Sequence, residues 1–306
     1  MTSSATLHTG GWVAIQRNRT SGAGQHYEPI TALISELRRL GIVPRLFSQR
    51  AELDAAISSG RWGAPRAVVA AGGDGTVLDL LNRHPLVPVA ILPLGTENLL
   101  AREFGIPRRD GRFVARMIAA GRQQTIDLGQ IGDLRFAIMA SCGFDAAVLQ
   151  VAHYRRTGHI RHRHYLRPLV DRWWNYRYPP VRVFLDDAAE PIVGSMVVVA
   201  NLSRYALGLP LVSGARSDDG LLDVRVFSHR SRFQLLTELG NVLLKAFRAG
   251  GVTPIRAARV RIEADEPLPI QVDGDPAGQT PVVIDILPQA ATLVVPESSK
   301  DDSPHL

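Results

Sequence analysis

Cysteine and lysine are almost missing from this 306-residue sequence, which contains one cysteine, Cys142, and two lysines, Lys245 and Lys300. A single cysteine excludes an internal disulfide framework and gives no sign of an oxidising compartment. Because lysine is scarce, arginine carries nearly all of the positive charge behind the net charge of +6. The guanidinium group suits phosphate, which leaves nucleotides, nucleic acids and anionic membranes open as ligands, although a genome-wide arginine bias would give the same composition.

Long apolar segments are also absent. The opening residues, MTSSATLHTGG, contain no apolar run, so we predict no signal peptide. The longest apolar stretch, around 192–202, is too short for a transmembrane helix, which needs about 20 residues. We find no zinc-ligand spacing, no RNP signature and no recognition helix. The sequence therefore predicts a cytoplasmic protein that is soluble or attached to a membrane surface and that does not bind nucleic acid.

Two halves of different character divide the chain. In the first half, strand-like and helix-like patterns alternate, which is typical of a parallel sheet covered by helices. Short β-rich runs dominate after Thr125, and their spacing suits a β-sandwich. The predicted fold class is therefore an α/β domain over residues 8–124 followed by a β-sandwich domain over residues 125–290. The polar tail over residues 297–306 is predicted to be disordered.

Hydrophobic periodicity, together with glycine and proline stops, gives the individual elements. In the first half, strands are predicted at 12–16, 41–48, 66–71 and 88–92, and helices at 30–40, 51–59, 76–84 and 110–120. In the second half, strands are predicted at 125–131, 134–141, 181–186, 192–200, 221–227, 255–263, 269–272, 282–287 and 291–295. Two helical segments interrupt these strands, one at 146–178 with a break near Gly158 and one at 231–249.

A glycine-rich loop joins the third predicted strand to the helix that follows it. Its residues are Gly72, Gly73, Asp74, Gly75 and Thr76. Glycine lets the backbone turn tightly, and a helix start adds exposed N–H groups and a positive dipole end, a combination that holds phosphate. Such sites form at the carboxyl edge of an open α/β sheet. The Asp74 carboxylate would repel phosphate unless a metal ion or a transferable proton is present, so it indicates function; a purely structural turn is the alternative.

The same geometry recurs after the fourth predicted strand, where the sequence PLGTEN at 93–98 turns into a further helix. Thr96 and Asn98 offer a hydroxyl and an amide to phosphate or ribose. A turn of this kind is usually structural when it stands alone. Next to the GGDGT loop on a neighbouring strand, it is predicted to form the second side of one cleft.

Five motifs together resemble the diacylglycerol kinase catalytic-domain family, which includes sphingosine kinases, ceramide kinases and many bacterial lipid kinases. In chain order they are GGDGT at 72–76, PLGTEN at 93–98, GFDA at 143–146, DDGLLD at 218–223 and VDGD at 272–275. NAD kinases share GGDGT, but the later motifs belong to lipid kinases. The resemblance implies an α/β domain and a β-sandwich with ATP and Mg²⁺ between them, and a last strand that returns to the first domain.

The resemblance also implies which residues bind the nucleotide. Asn18 begins a loop that looks like the NPxSGxG loop of the family, with Arg19 in place of proline. The implied nucleotide-binding set is Asn18, Ser48, Gly72, Gly73, Asp74, Gly75, Thr76, Asp79, Thr96, Asn98, Arg155, Arg161 and Gly274. Arg155 and Arg161 lie in YRRTGHIR, which resembles a phosphate-binding segment of sphingosine and ceramide kinases; a basic helix facing water or lipid headgroups is the alternative.

Cation ligands follow from the same resemblance. Asp127 matches one acid of the network that the family builds around the metal. A second, regulatory Mg²⁺ site is implied at Asp219, whose carboxylate would act together with backbone oxygens of Arg216 and Leu221. Hard cations prefer oxygen ligands of this kind. An ordinary turn before the next strand is the alternative.

Two departures from the family pattern concern acidic residues. The family usually has GTxND, whereas Leu99 follows Asn98 here. The family also has DGE, in which the glutamate is assigned as the catalytic base, whereas this chain has Asp275, about one methylene shorter or roughly 1.5 Å by chain geometry. The catalytic residues that the resemblance implies are Asp74 and Asp275. The acidic cluster is then smaller than in the family.

The function predicted from the sequence is an ATP- and Mg²⁺-dependent lipid kinase that phosphorylates the hydroxyl of a membrane lipid. Val148 stands where sphingosine kinases have an aspartate for the substrate amine, so a neutral alcohol such as diacylglycerol fits better than a sphingoid base. We also expect transient contact with an anionic membrane surface, and we leave a monomer and a homodimer open. The alternatives are a NAD kinase-like enzyme and a nucleotide- or lipid-binding regulator that has lost catalysis.

Overall fold

The fold is taken from a computed structural model. The structure describes residues 11–18, 27–154, 176–203, 214–228 and 254–297, together with 212, 231, 233–234, 237 and 240. The described residues form two compact units. Unit 1 contains those within Met1–Thr125 and Ala291–Leu306, and unit 2 contains those within Ile126–Ala290.

Strands and helices alternate along unit 1. Its elements are β1 (Trp12–Arg17), α1 (Tyr27–Arg39), β2 (Val43–Phe47), α2 (Arg50–Ser58), β3 (Ala67–Gly72), α3 (Asp74–Arg83), β4 (Val89–Pro93), α4 (Leu99–Glu103) and α5 (Gly111–Ala120). The four strands are parallel and lie in the order β2-β1-β3-β4. The predicted α/β fold of the first half is confirmed, and α3 begins two residues earlier than predicted because Gly73 takes the position before the helix.

Burial explains why these segments adopt their structures. Every residue of β3 (AVVAAG) and β4 (VAILP) is buried, as expected for central strands of a parallel sheet with both faces covered. Helix α1 buries Leu33 and Leu37 completely, each worth about 1.5–3 kcal/mol. Helix α5 lies close to α1 at Gly111, where a Cβ atom would be only 2.0 Å from the Pro29 carbonyl oxygen. A glycine is therefore required at this contact.

Antiparallel strands dominate unit 2. Its elements are β5 (Gln123–Ile131), which begins in unit 1, β6 (Leu134–Phe136), β7 (Met139–Cys142), α6 (Phe144–Tyr154), β8 (Val181–Leu185), β9 (Ile192–Gly194), β10 (Met196–Ala200), β11 (Leu222–Phe227), β12 (Ile255–Ala257), β13 (Arg259–Ala264), β14 (Pro269–Val272), β15 (Asp275–Gln279) and β16 (Val282–Val294). One sheet has the order β12-β11-β10-β7-β14-β15, and β16-β13-β8-β9 form the other. Buried residues from both sheets form one core, which confirms the predicted sandwich.

Three predicted strands are each two strands in the structure. The predicted runs are 134–141, 192–200 and 255–263, and their breaks lie at 137–138, 195 and 258. At each break the chain leaves one sheet of the sandwich and enters the other. Carboxylates hold two of these corners: the amides of Ala258 and Arg259, for example, donate to Asp186 over 2.8 and 2.9 Å. At this corner a carboxylate, and not a neighbouring strand, accepts the backbone amides, so the pairing of the strand within its sheet is interrupted.

The end of the chain also differs from the prediction. The strands predicted at 282–287 and 291–295 are one continuous strand, β16. Its first part belongs to unit 2, whereas its last residues belong to unit 1, where Leu293 pairs in parallel with Val89 of β4. Strand β15 was not expected. It pairs with β14 through a two-residue turn at Asp273 and Gly274.

Both helices predicted in the second half lie partly outside the described residues. Helix α6 covers Phe144–Tyr154 among the described residues, and residues 176–180 are not helical, so the predicted helix at 146–178 does not extend to its predicted end. Arg155 and Arg161 lie outside the described residues, as do most of 231–249 and the tail from 298. Within the part of the chain that is described, no helix is long and apolar enough to cross a bilayer.

Candidate active site

The GGDGT loop connects the carboxyl end of β3 to the start of α3. Gly73 precedes the helix, and its carbonyl oxygen accepts the Thr76 amide over 2.9 Å. Gly72 cannot be replaced without movement, because a Cβ atom would lie 2.3 Å from the Thr76 hydroxyl oxygen. That hydroxyl accepts a hydrogen bond of 3.1 Å from the side-chain amide of Asn18, just after β1. The loop therefore combines a helix N-terminus with side chains from two strand ends.

The second glycine loop contacts the first. A Cβ atom on Gly95 would lie 2.6 Å from the Gly73 Cα atom, so the two backbones approach closely only with glycine there. The Asn98 side chain is buried within its own turn, where it accepts the Gly95 amide and donates to the Gly95 carbonyl, both over 2.9 Å. Thr96 stays exposed. Of the two predicted donors, Thr96 is accessible, whereas Asn98 holds the loop in shape.

The carboxylate of Asp74 joins the two loops. Its oxygens accept the amides of Leu99 and Leu100, each over 3.0 Å, at the first turn of α4. Burial raises the pKa of the Asp74 carboxyl above its ordinary value, and these two amides act in the opposite direction. A partly buried acid between two glycine loops, at the carboxyl ends of β3 and β4, can bind a cation or exchange a proton.

Comparison with known proteins identifies the family of this site. The family described as "Diacylglycerol kinase catalytic domain" matches residues 13–131, and the "YegS C-terminal NAD kinase beta sandwich-like domain" matches residues 138–295. A protein named "Diacylglycerol kinase" from Mycobacterium tuberculosis strain H37Rv is 31% identical over 305 residues, covering 94% of this chain and 96% of its own length. The chain belongs to the diacylglycerol kinase family of lipid kinases.

Two further relatives extend the comparison. A protein of Chromohalobacter salexigens named "Probable lipid kinase YegS-like" is 26% identical over 239 residues, which cover 76% of each chain. The crystal structure of a diacylglycerol kinase from Bacillus anthracis strain Sterne has a TM-score of 0.70 at 18% identity, and it covers 94% of this chain and 97% of that one. The structural similarity concerns the fold. The resemblance seen in the five motifs is thereby confirmed at the level of the family.

Asp79, the other acid expected in unit 1, has defined partners. Asp79 lies on α3 and binds Arg83 over 2.9 Å and Arg50 over 3.3 Å. Arg83 also binds Asp54, and it donates to Gln16 at the end of β1 over 2.7 Å. Ser48 follows β2 and is exposed. In this lipid kinase Asp79 is therefore part of an ion-pair network that ties α2 and α3 to the sheet.

Asp127 is buried in unit 2 and binds backbone amides. Its carboxylate accepts the amides of Gly220 and Gln289, both over 2.7 Å. Its own amide donates to the Ser217 carbonyl over 2.6 Å, and the Asn201 side chain donates to its carbonyl over 2.8 Å. These contacts fix the loop before β11 and the bend within β16. The predicted metal ligand thus lies at a structural junction of the sandwich.

The DGD motif forms the turn of the β14–β15 hairpin. Asp273 and Gly274 have φ angles of 47° and 90°, which suit a tight two-residue turn. The Asp273 carboxylate accepts three amides, from residues 137–139, over 2.9–3.0 Å. Asp275 follows the turn and is exposed. The aspartate–glycine pair between apolar runs is a hairpin signal that could have predicted this turn.

Arg108 is a residue that the motifs did not reveal. It is exposed, and its guanidinium group donates to the carbonyl of Gly95 in the second glycine loop. No family motif points to it, because it lies in the loop after α4. The structure therefore adds one positive charge next to the two loops. A cation here is the type of group that holds phosphate.

Buried groups in unit 2 complete the description. Cys142 lies in the core of the sandwich, and burial raises the pKa of its thiol to about 12. At the turn before β11, Asp219 accepts the Leu221 amide over 3.2 Å, and Arg216 binds Asp218 over 3.1 Å. Among the residues described, no group of three His, Cys, Asp or Glu side chains is arranged to hold a metal ion.

Proposed function

We propose that this lipid kinase transfers the γ-phosphate of ATP to the hydroxyl of a membrane lipid, with diacylglycerol as the substrate class and Mg²⁺ as the required cation. The observation that carries this proposal is the joined pair of glycine loops in unit 1, with the partly buried Asp74 carboxylate between them. The names of the relatives support the choice of lipid, since the M. tuberculosis protein carries the name diacylglycerol kinase.

The nucleotide is proposed to bind at the carboxyl ends of β3 and β4. The first amides of α3 and the positive end of its dipole face this edge and attract phosphate. Thr96 offers an exposed hydroxyl, and Arg108 lies beside the same loop. Arginine forms strong charge-assisted hydrogen bonds to phosphate. Asn18 holds the Thr76 hydroxyl and so positions the first loop.

The donor set near Asp74 fits Mg²⁺. Each oxygen of this carboxylate accepts one amide and retains a further lone pair for a hard cation. Magnesium commonly uses one or two protein carboxylates and completes its shell with water and substrate phosphates, so the single carboxylate of Asp74 is sufficient. When bound, the cation would neutralise the charge that develops on the transferring phosphoryl group.

A carboxylate of this chain is proposed to accept the proton of the lipid hydroxyl. The hydroxyl oxygen forms a bond to the γ-phosphorus while the bond to ADP breaks. Asp74 suits this role because its raised pKa brings it closer to the operating pH, where a general base is most effective. Asp275 is the alternative base, exposed after the β14–β15 turn. Asp275→Asn distinguishes the two, because Asp74→Asn also removes the proposed Mg²⁺ ligand: transfer should stop in Asp275→Asn only if Asp275 is the base.

A neutral lipid is favoured over a sphingoid base. Val148 on α6 is buried and apolar, at the position where sphingosine kinases have an acid. A buried ammonium group without a counter-ion would be costly. Arg155 and Arg161, in the segment outside the described residues, remain proposed phosphate contacts. The rest of that arginine-rich segment is proposed to meet anionic headgroups at the membrane surface.

Transfer of label from γ-labelled ATP to a panel of lipid alcohols in vesicles tests the proposal. We expect diacylglycerol to become labelled in the presence of Mg²⁺, and sphingosine and NAD to remain unlabelled. Asp133→Asn, a change of an exposed acid in the turn between β5 and β6, is the control and should retain full activity. Labelling of NAD, or ATP binding without transfer to any alcohol, would overturn the proposal; the second result would support the regulator that Leu99 and Asp275 suggest.

A further inference from the structure

Arg256 on β12 faces the start of β11 and the loop before it with all three of its guanidinium nitrogens. Its Nη1 atom lies 3.5 Å from an Asp219 carboxylate oxygen, and its Nε atom lies 3.3 Å from an oxygen of Asp223. Its Nη2 atom lies 3.5 Å from the Gly214 carbonyl oxygen. One planar cation therefore faces a carboxylate and a backbone oxygen of this loop and a carboxylate at the start of β11. These are the oxygen types expected to surround the regulatory Mg²⁺.

Burial makes a cation necessary at this loop. The Asp223 side chain is fully buried, and Asp219 is largely buried. Each has one carboxylate oxygen without a hydrogen-bond partner among the described residues. Burial raises the pKa of Asp223, and the nearby Arg256 acts in the opposite direction. A buried and a partly buried carboxylate side by side would be unfavourable without a positive charge between them.

We infer that the guanidinium group of Arg256 is the resident counter-ion of the Asp219 loop and replaces the regulatory divalent cation there. The Asp219 oxygen that would bind Mg²⁺ is the one that faces Arg256. Mg²⁺ requires short oxygen contacts in a near-octahedral shell, and at this oxygen it would be repelled by the positive charge of the guanidinium group. The loop is therefore held by an internal ion pair. This inference is independent of which substrate the kinase uses.

Removal of the arginine charge should create a dependence on Mg²⁺. Without nucleotide or lipid, we expect millimolar Mg²⁺ to leave the melting temperature of the wild-type protein unchanged. Arg256→Met keeps the length of the side chain but removes its charge, and we expect a loss on the order of 5 °C. Millimolar Mg²⁺ should restore most of this lost stability by binding the carboxylates that have lost their counter-ion. The double variant Arg256→Met with Asp219→Asn should lose that rescue.

Two further variants serve as controls for Arg256→Met. Arg259→Met removes an arginine from an exposed ion pair with Asp285 and should show neither the loss nor the Mg²⁺ response. If Arg256→Met does not fold, Arg256→Lys provides the comparison, since lysine keeps the charge but not the three contacts. The inference is overturned if Mg²⁺ stabilises the wild-type protein and Asp219→Asn abolishes this stabilisation. It is also overturned if calorimetry finds Mg²⁺ binding to Asp219 while Arg256 is present.

Discussion

Two features of the Asp74 side chain favour different protonation states. Its two oxygens cap the first amides of α4, which favours the ionised form, whereas its burial favours the neutral form. The balance leaves an acid that holds the loops together and whose pKa is displaced toward the range of a general base. A substitution at this position therefore changes both folding and catalysis.

Asp74→Asn is expected to lower stability as well as activity. Asparagine has one carbonyl oxygen and one amide, so one of the two amides of α4 would face a donor. We expect a loss of about 1–2 kcal/mol in the free energy of unfolding. Phosphate transfer should fall by about 100-fold or more if Asp74 is the base. Urea unfolding and initial rates measure the two effects, with Asp133→Asn as the control.

The raised pKa of Asp74 is tested by measuring how the stabilities of the wild-type protein and of Asp74→Asn depend on pH. A folded-state pKa above the ordinary value of 3.8 gives a stability contribution that is present below that value and is lost as pH rises through the folded pKa. The stability of the wild-type protein relative to Asp74→Asn should therefore decrease from acidic to neutral pH. A relative stability that increases over this range would contradict the assignment.

Arg108→Ala should weaken ATP binding without affecting the lipid. The variant removes a positive charge anchored on Gly95, so we expect the KM for ATP to rise about 10-fold, equivalent to about 1.4 kcal/mol. Arg112→Ala removes an exposed arginine from α5 and serves as the control. Equal KM values for ATP in both variants would mean that Arg108 does not contact the nucleotide.

The Cys142 thiol should not react with thiol reagents while the protein is folded. With a pKa of about 12 and complete burial, almost no thiolate is available near pH 8. A maleimide or disulfide reagent should modify it only after unfolding in urea. Mass spectrometry of native and unfolded samples measures this difference, and rapid labelling of the native protein would contradict it.

At the level of elements, the β14–β15 hairpin depends on Asp273. Its carboxylate accepts three amides at the corner between β6 and β7. Asp273→Ala would leave these amides without their acceptor, and we expect a loss of about 3 kcal/mol in the free energy of unfolding. Asp187→Ala, in an exposed turn, should change stability by less than about 0.5 kcal/mol. Urea unfolding of both variants provides the measurement.

The elements of unit 1 could be predicted because local signals agree there. Buried apolar runs and glycine stops mark β3, β4 and their helices without reference to distant residues. The corners of unit 2 could not be predicted, since the carboxylate that ends β6 lies 136 residues away in Asp273. Long-range acceptors of this kind have no local pattern.

The candidate site shows the same division. The two glycine loops were predictable from their motifs and from the strands that precede them. The partners of the acids were not: Asp74 binds amides of α4, and Asp127 binds Gly220 and Gln289. Arg108 and Arg256 were also missed, because each acts through a contact between segments that are far apart in the sequence. Motifs identify reactive groups, whereas tertiary contacts decide what else those groups do.

At the scale of the whole molecule, the net charge of +6 should govern contact with membranes. Arginine near an anionic surface contributes about 1 kcal/mol per residue, and salt screens this attraction. We expect the protein to bind vesicles containing phosphatidylglycerol at low salt. At high salt its affinity for these vesicles should fall by a factor on the order of 10. Phosphatidylcholine vesicles are the control. Sedimentation of the vesicles measures the bound fraction of the protein. Equal binding to both vesicle types would contradict an electrostatic contact.

Strand β16 begins in unit 2 and ends beside β4 in unit 1. During translation, residues 291–294 therefore leave the ribosome only after all the other strands described in both units have been made. Until then, the β4 side of the nascent parallel sheet has no β16 neighbour, and such an open edge is prone to aggregation. Completion of the first-made unit must wait for the last-made strand, so a stalled or prematurely terminated chain would be a substrate for chaperones rather than an active fragment.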